Sequence, residues 1–381
     1  MNSYSRRAFL SLGTAGAAAA GAACWPLLSE GQLAAEALGK AGPGESPLVW
    51  LNSNENPHGP CPLAREAIAR SIPQGGRYPY QTARKMAERL AALHSVPASM
   101  IVVGNGSSEV LRMAVGAFLA PGKTLVVPEP TYESPGRYAQ VAGAAVKTVP
   151  LTEDFRHDTK AMAAAAAAAK DTGLVYACNP NNPTASLTPK EDMAVLVAAL
   201  PPGAVLLVDE AYYHFVDSPA YESALRYVLG GKNVIVSRSF SKIYGLAGMR
   251  VGYGIGRADL IERMRRHALH LNTNLLGLEA ALASLDDRDL VARNRERNAR
   301  ARGLVSDWLD RNRIRYAPTH ANFLFLHTGK DINRLGAALW ERGIAVGRPF
   351  PPFTDWMRVS VGTEDEMQRF LKAYEEVRAS V

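Results

Sequence analysis

Short β-branched runs alternate with longer stretches carrying apolar residues at helical spacing. Ile101-Val102-Val103, Thr124–Val127, Val146–Pro150, Leu174–Cys178, Val205–Asp209 and Val234–Ser237 read as buried strands. Between them a helix after Ser107 puts Val110, Met113, Ala117 and Phe118 on one face. Further helices are expected over the alanine run Ala161–Ala169 and over Lys190–Leu200. Such alternation predicts an α/β domain with a mostly parallel sheet. Ahead of it, Leu48–Leu51 reads as a strand and residues 52–60 as a loop, because Pro57 and Pro60 exclude regular structure. Helices are expected at Leu63–Ser71 and Thr82–His94, broken by Gly75–Pro79. After about Leu275 the pattern changes. Long arginine-rich helical stretches over Leu278–Asn312 precede strands at Asn322–Leu326 and Arg358–Val361 and a last helix at Glu364–Val377. This predicts a large domain over 75–275 and a smaller α+β domain over 276–381, which the segment 38–74 joins.

The amino terminus breaks this pattern. Ser5-Arg6-Arg7-Ala8-Phe9-Leu10 leads into an uncharged Ala/Gly-rich run to Leu28, too weakly apolar for a spanning helix. Small residues at Ala34, Ala35 and Ala37 offer cleavage points. Residues 1–37 therefore read as a twin-arginine export signal, which implies a periplasmic protein that meets the membrane only in transit.

With 381 residues, 47% hydrophobic and 21% charged, the chain has ample material for a core. The net charge of +7 is modest, and the arginines of 293–315 alternate with acids on what reads as a solvated helical face. No aromatic interleaving accompanies them, so no nucleic-acid site is expected. Cys24 falls in the signal. Cys61 and Cys178 make no disulfide framework, and His58 has no partner at metal-ligand spacing.

Chemistry gathers at strand ends, where ligands of such sheets collect. Val234–Ser237 runs into Ser239-Phe240-Ser241-Lys242 and a Gly-rich turn. A lysine held there is either a plain surface lysine or a desolvated amine nucleophile for a carbonyl. Ser239, Ser241 and Arg250 around it suit a phosphate monoester. Gly104-Asn105-Gly106-Ser107-Ser108-Glu109 is either an ordinary serine cap or a phosphate cradle. Asp209, read alone, could be a helix cap or a metal ligand. Asn182 and Tyr212 also lie just beyond strand ends.

Taken together, the segments Asn54–Pro57, Arg77–Pro79, Gly104–Glu109, Pro130–Tyr132, Asn179–Thr184, Asp209–Tyr212, Ser239–Lys242, Gly245–Arg250 and Arg358–Thr363 resemble the fold-type-I pyridoxal-phosphate aminotransferases. The likeness is strongest to the histidinol-phosphate aminotransferase branch, and the segments stand in family order. The resemblance implies pyridoxal 5′-phosphate held covalently by Lys242, which also shuttles the substrate proton. Asp209 would keep the pyridine nitrogen protonated, and Asn182 and Tyr212 would bind the ring oxygen. Tyr132 would stack on the ring. Ser107, Ser108, Glu109, Ser239, Ser241 and Arg250 would line the phosphate site, reached from the second subunit of a homodimer by Tyr78. Arg358 would grip the substrate carboxylate, with Asn182, Asn54 and Arg348 as further substrate contacts. The reaction implied moves an amino group between an α-amino acid, or an amino-alcohol phosphate, and a 2-oxo acid. A decarboxylase or lyase of the same fold and a non-catalytic cofactor-binding protein are the alternatives.

Two departures stand out. Ala185 replaces a glycine, and Gly347 falls where the branch has a phosphate-binding arginine, with Arg348 one residue later. The stiff aromatic run Arg348–Phe353 is expected to wall the substrate pocket.

Overall fold

The apolar runs pair into one seven-stranded sheet in the computed structural model, which describes residues 48–380. The expected export signal and Cys24 lie outside the described residues. The strands are β1 (Val49–Leu51), β2 (Ile101–Asn105), β3 (Thr124–Glu129), β4 (Ala145–Pro150), β5 (Thr172–Cys178), β6 (Val205–Asp209), β7 (Val234–Ser239), β8 (Val251–Gly256), β9 (Phe323–His327), β10 (Ile344–Val346) and β11 (Trp356–Ser360). The helices are α1 (Pro62–Ser71), α2 (Tyr80–His94), α3 (Ser107–Phe118), α4 (Ser134–Val141), α5 (Thr159–Ala168), α6 (Lys190–Ala198), α7 (Leu225–Leu229), α8 (Ala258–Arg265), α9 (Leu275–Ser284), α10 (Leu290–Arg311), α11 (Ile332–Trp340) and α12 (Glu364–Ser380).

The large sheet runs β2-β8-β7-β6-β5-β3-β4, and all its pairs are parallel except those made by β8. Every residue of β5, β6 and β7 is buried. Helices cover both faces of a parallel sheet, so these strands read as continuous apolar runs. The sequence pattern did not disclose β8, because Gly252, Gly254 and Gly256 lower its strand propensity. Packing explains those glycines. A Cβ at Gly254 would come within 3.0 Å of Val102 and Val110, and one at Gly256 within 3.1 Å of Ile235. Bare backbone on that face lets neighbouring side chains sit against the strand.

A second apolar cluster gathers Leu324, Leu326, Met357, Val359, Phe370 and Tyr374, with Val49 and Leu51 from the chain's first described strand. There β9 pairs antiparallel with β11, and β1 pairs parallel with β10. The two clusters do not divide the sequence at 74 or at 275. Cys61 and Ala64 belong with the large-sheet core, as do Leu278 and Ala280–Leu282 of α9. The helical stretches expected over Leu278–Asn312 are α9 and α10, separated at Asp286–Asp289. Helix α10 then serves both clusters, Leu290 in one and Ala301, Val305 and Leu309 in the other.

Behind the sheet lies a buried ion pair. Glu210 accepts from Arg238 Nη2 at 2.8 Å and Nε at 3.0 Å, and from the Ala224 amide at 2.7 Å. Arg238 also lies 3.9 Å over the Tyr213 ring. A charge pair this deep holds only when its remaining bonds are filled. The pair staples the ends of β6 and β7 to the segment carrying Tyr212 and Tyr213, next to the strand-end site.

Candidate active site

Strand ends β2, β8 and β7 meet through register. Gly252 lies opposite Gly104 on one side and Ser239 on the other. Gly106 has φ +80, a conformation that favours glycine, and a Cβ there would collide with the Arg250 guanidinium. A Cβ at Gly252 would collide with the Ser107 amide nitrogen. The loop therefore folds tightly onto Arg250 at the amino end of α3, where helix N–H groups and the dipole favour an anion. Arg250 itself has φ +54, donates to Ala247 O at 2.8 Å and approaches Ser241 Oγ at 3.5 Å. Ser239 Oγ accepts from the Ser241 amide at 2.9 Å. Ser108 and Ser134 hydrogen-bond the Tyr132 hydroxyl, opposing the desolvation that raises its pKa.

Lys242 lies three residues past β7, partly buried, with Nζ donating to Asn54 O at 3.1 Å and Ser53 O at 3.3 Å. Its amine sits 5.6 Å from the centre of the Tyr212 ring. Asp209 closes β6 and is 3% exposed. Desolvation pushes its carboxyl up to about 6, against the Tyr176 hydroxyl, the Ala211 amide and the Lys242 charge. Tyr176 Oη donates to Oδ2 at 3.2 Å and the Ala211 amide to Oδ1 at 3.2 Å. A carboxyl so placed ionises readily only beside a cation.

Arg358 is wholly buried on β11, its Nη1 donating to Asn182 Oδ1 at 2.7 Å and its Nη2 to Asn52 O. Its guanidinium lies 4.8 Å over Phe350, whose ring also carries Arg348 at 4.2 Å. The space beside Arg358 explains Gly347: a Cβ there would sit 2.8 Å from Arg358 O and 3.4 Å from its Nε. Arg348 forms an ion pair with Glu133, which Arg137 also contacts at 2.7 Å. Phe353 does not join Phe350 under Arg358. It packs with Phe155, Phe325 and Trp356, in the aromatic cluster that Phe350 joins through Phe325.

Lys242, Asp209, Tyr212, Asn182, Arg358, Tyr132 and the hydroxyl and guanidinium groups near α3 thus face one region. Tyr78 does not, at 65% exposure with its ring against Tyr80. Glu109, expected at the phosphate, instead braces the protein. Its carboxylate accepts from the Asn105 amide at 2.7 Å, Asn272 Nδ2 at 2.6 Å and the Leu269 amide at 3.1 Å. Tyr176, Glu133 and Ser360 escaped the sequence reading. Strand alternation could have found Tyr176, two residues before Cys178, which lies opposite Asp209. Nothing local marks Glu133 or Ser360.

The aminotransferase class I and II family matches residues 46–373. The histidinol-phosphate aminotransferase of Moorella thermoacetica is 36% identical over 339 residues, 88% of this chain and 87% of its own length. An aromatic amino acid aminotransferase of Cutibacterium acnes is 35% identical over 325 residues, 85% of this chain and 91% of that protein. The structure of Sinorhizobium meliloti histidinol-phosphate aminotransferase in complex with pyridoxal-5′-phosphate superposes with a TM-score of 0.83 at 26% identity, covering 94% of this chain and 96% of that one. The chain belongs to the aminotransferase class I and II family and has its fold-type-I architecture. Its chemistry is pyridoxal-phosphate-dependent amino transfer. The donor set fits that cofactor: a tight anion cradle, an amine for the aldehyde, and a buried acid suited to a protonated ring nitrogen.

The Asp209 environment predicts a pH signature. The folded chain keeps its proton up to about 6, whereas an ordinary aspartate loses it near 3.8. Between those values the native state binds more protons, so this group makes stability fall as pH rises. Cofactor-free wild type should lose up to roughly 3 kcal/mol relative to Asp209→Asn between about pH 4 and pH 6, with a level difference above that. Urea unfolding of both proteins across this range measures it, and a pH-independent difference contradicts the assignment.

Proposed function

We propose that this aminotransferase works in the periplasm, after twin-arginine export, as a homodimer whose sites take Tyr78 from the partner subunit. The observation that carries the catalytic reading is the convergence of the Lys242 amine, the buried Asp209 carboxyl and the buried Arg358 guanidinium on one region. Exposure of Ile72, Tyr78 and Tyr80, at 61–65%, supports a second copy covering that edge. The paired arginines Arg6 and Arg7 before an uncharged run support export.

When bound, the cofactor supplies an electron-withdrawing ring to the substrate α-carbon. Ser107, Ser108, Ser239, Ser241 and Arg250 would hold its phosphate, Tyr132 would stack on the ring, and Asn182 and Tyr212 would bind its ring oxygen. Asp209 would keep the ring nitrogen protonated, and that cation would in turn stabilise its carboxylate. Arg358 takes the substrate carboxylate in a paired-bond geometry. Lys242 Nζ would take the substrate's α-proton as base and give it up as acid on the cofactor side of the new bond, away from the α-carbon, as amino transfer requires.

The side-chain pocket favours an uncharged donor. Arg348 is matched by Glu133 and stacked on Phe350, and Gly347 stands at the position of the branch's phosphate-binding arginine. The reading is therefore an α-amino acid with a neutral, aromatic side chain, in preference to an amino-alcohol phosphate.

Purified wild type should carry a visible cofactor band that Lys242→Ala abolishes. A colourless wild type after reconstitution with pyridoxal phosphate ends the cofactor reading. Replacing Arg6 and Arg7 with lysine should move the enzyme from the periplasmic to the cytoplasmic fraction, and unchanged fractionation refutes export. In a donor screen with a 2-oxo acid acceptor, aromatic amino acids should exceed histidinol phosphate in kcat/KM by at least about tenfold. Glu133→Gln should narrow that ratio by freeing Arg348, and equal use of both donors by wild type contradicts the pocket reading.

A further inference from the structure

We infer that Asn54 is a positioning residue. Its side-chain amide sets the direction of the Tyr212 hydroxyl proton, and its carbonyl holds the Lys242 amine beside the same ring. The inference rests on the cofactor reading of Tyr212 and Lys242 given above.

Asn54 is 1% exposed in a left-handed conformation, φ +53, and every polar atom it has is engaged. Its amide nitrogen donates to Ser360 Oγ at 2.7 Å, and Ser360 Oγ donates to Asn54 Oδ1 at 3.1 Å. Its Nδ2 donates to Tyr212 Oη at 3.2 Å. Its carbonyl accepts from Lys242 Nζ at 3.1 Å and Asn322 Nδ2 at 3.0 Å. A serine hydroxyl has one proton. In the structure Ser360 Oγ accepts the Asn54 N–H and gives that proton to Asn54 Oδ1, and this bond sets the orientation of the Asn54 amide. The NH₂ group then faces Tyr212, whose oxygen is the acceptor. The Tyr212 proton is left to serve an acceptor on the cleft side.

Family resemblance placed Asn54 on the substrate. Both its side-chain polar atoms are instead bound to protein, and a left-handed asparagine persists when its surroundings over-determine it. Ser360, which orients it, lies two residues after Arg358 on the same strand, and Arg358 Nη2 donates to Asn52 O. One short loop therefore touches the carboxylate-binding arginine, the lysine and the tyrosine.

The test is a pH titration of the visible band of the lysine-bound cofactor, without substrate, in wild type, Asn54→Gly, Tyr212→Phe and the double variant. Glycine tolerates the left-handed backbone, so Asn54→Gly removes the amide alone. Losing an aligned donor to the ring oxygen disfavours its anion. The midpoint should rise by roughly half a pH unit to one unit in Asn54→Gly, in the same direction as in Tyr212→Phe. The double variant should match Tyr212→Phe. Asn54→Asp is isosteric, replaces the donor with an acceptor, and should shift the midpoint at least as far; it decides the matter where the glycine variant does not fold. A wild-type midpoint in these variants, or an undiminished Asn54→Gly shift in the Tyr212→Phe background, overturns the positioning role alone. A wild type that takes up no cofactor overturns the reading beneath it as well.

Discussion

A carboxyl group closed into the end of a solvent-free strand is the constraint on which the site depends. Asp209 belongs to β6, buried along its whole length, and two neutral donors plus the Lys242 charge do not offset its desolvation. An isolated buried carboxylate is costly, and a cationic partner makes it favourable. The rigid parallel strands around it fix where that partner must sit. They bring Lys242 from β7 and the anion cradle of β2 and β8 to the same edge.

The second constraint joins the two apolar clusters. Arg358 and Ser360 stand on β11 in the smaller cluster, yet their hydrogen bonds end on residues 52–54 and on Asn182. Helix α10 packs in both clusters. Residues 52–56, which no regular element could contain, are where these bonds concentrate. Asn56 and Asn294 both donate to Ile243 O, at 3.1 Å and 2.8 Å. Two amide side chains thus hold the backbone carbonyl of the residue after the reactive lysine. Irregular backbone needs such partners wherever it leaves water.

Much of this was legible in the chain. Apolar runs of the parallel strands are continuous because both faces are covered, so periodicity and β-branching exposed β3, β5, β6 and β7. Lys242 and Asp209 stood out at the ends of such runs, each with a plain alternative that the family resemblance decided, and Arg358 was singled out by the resemblance alone. The glycine-laden β8 was not legible, since its glycines answer to close packing from Val102, Val110 and Ile235, which are distant in sequence.

Residue order by itself determined the α/β alternation, the lysine-bearing strand end and the acid one strand before it. These follow from local apolar spacing and from where a charge interrupts it. Tertiary structure alone decided that Glu109 braces a loop, that Glu133 matches Arg348, and that Asn54 is held between Ser360 and Tyr212. Each of those roles depends on a partner brought near by folding, and a polar side chain takes its function from the group that meets it.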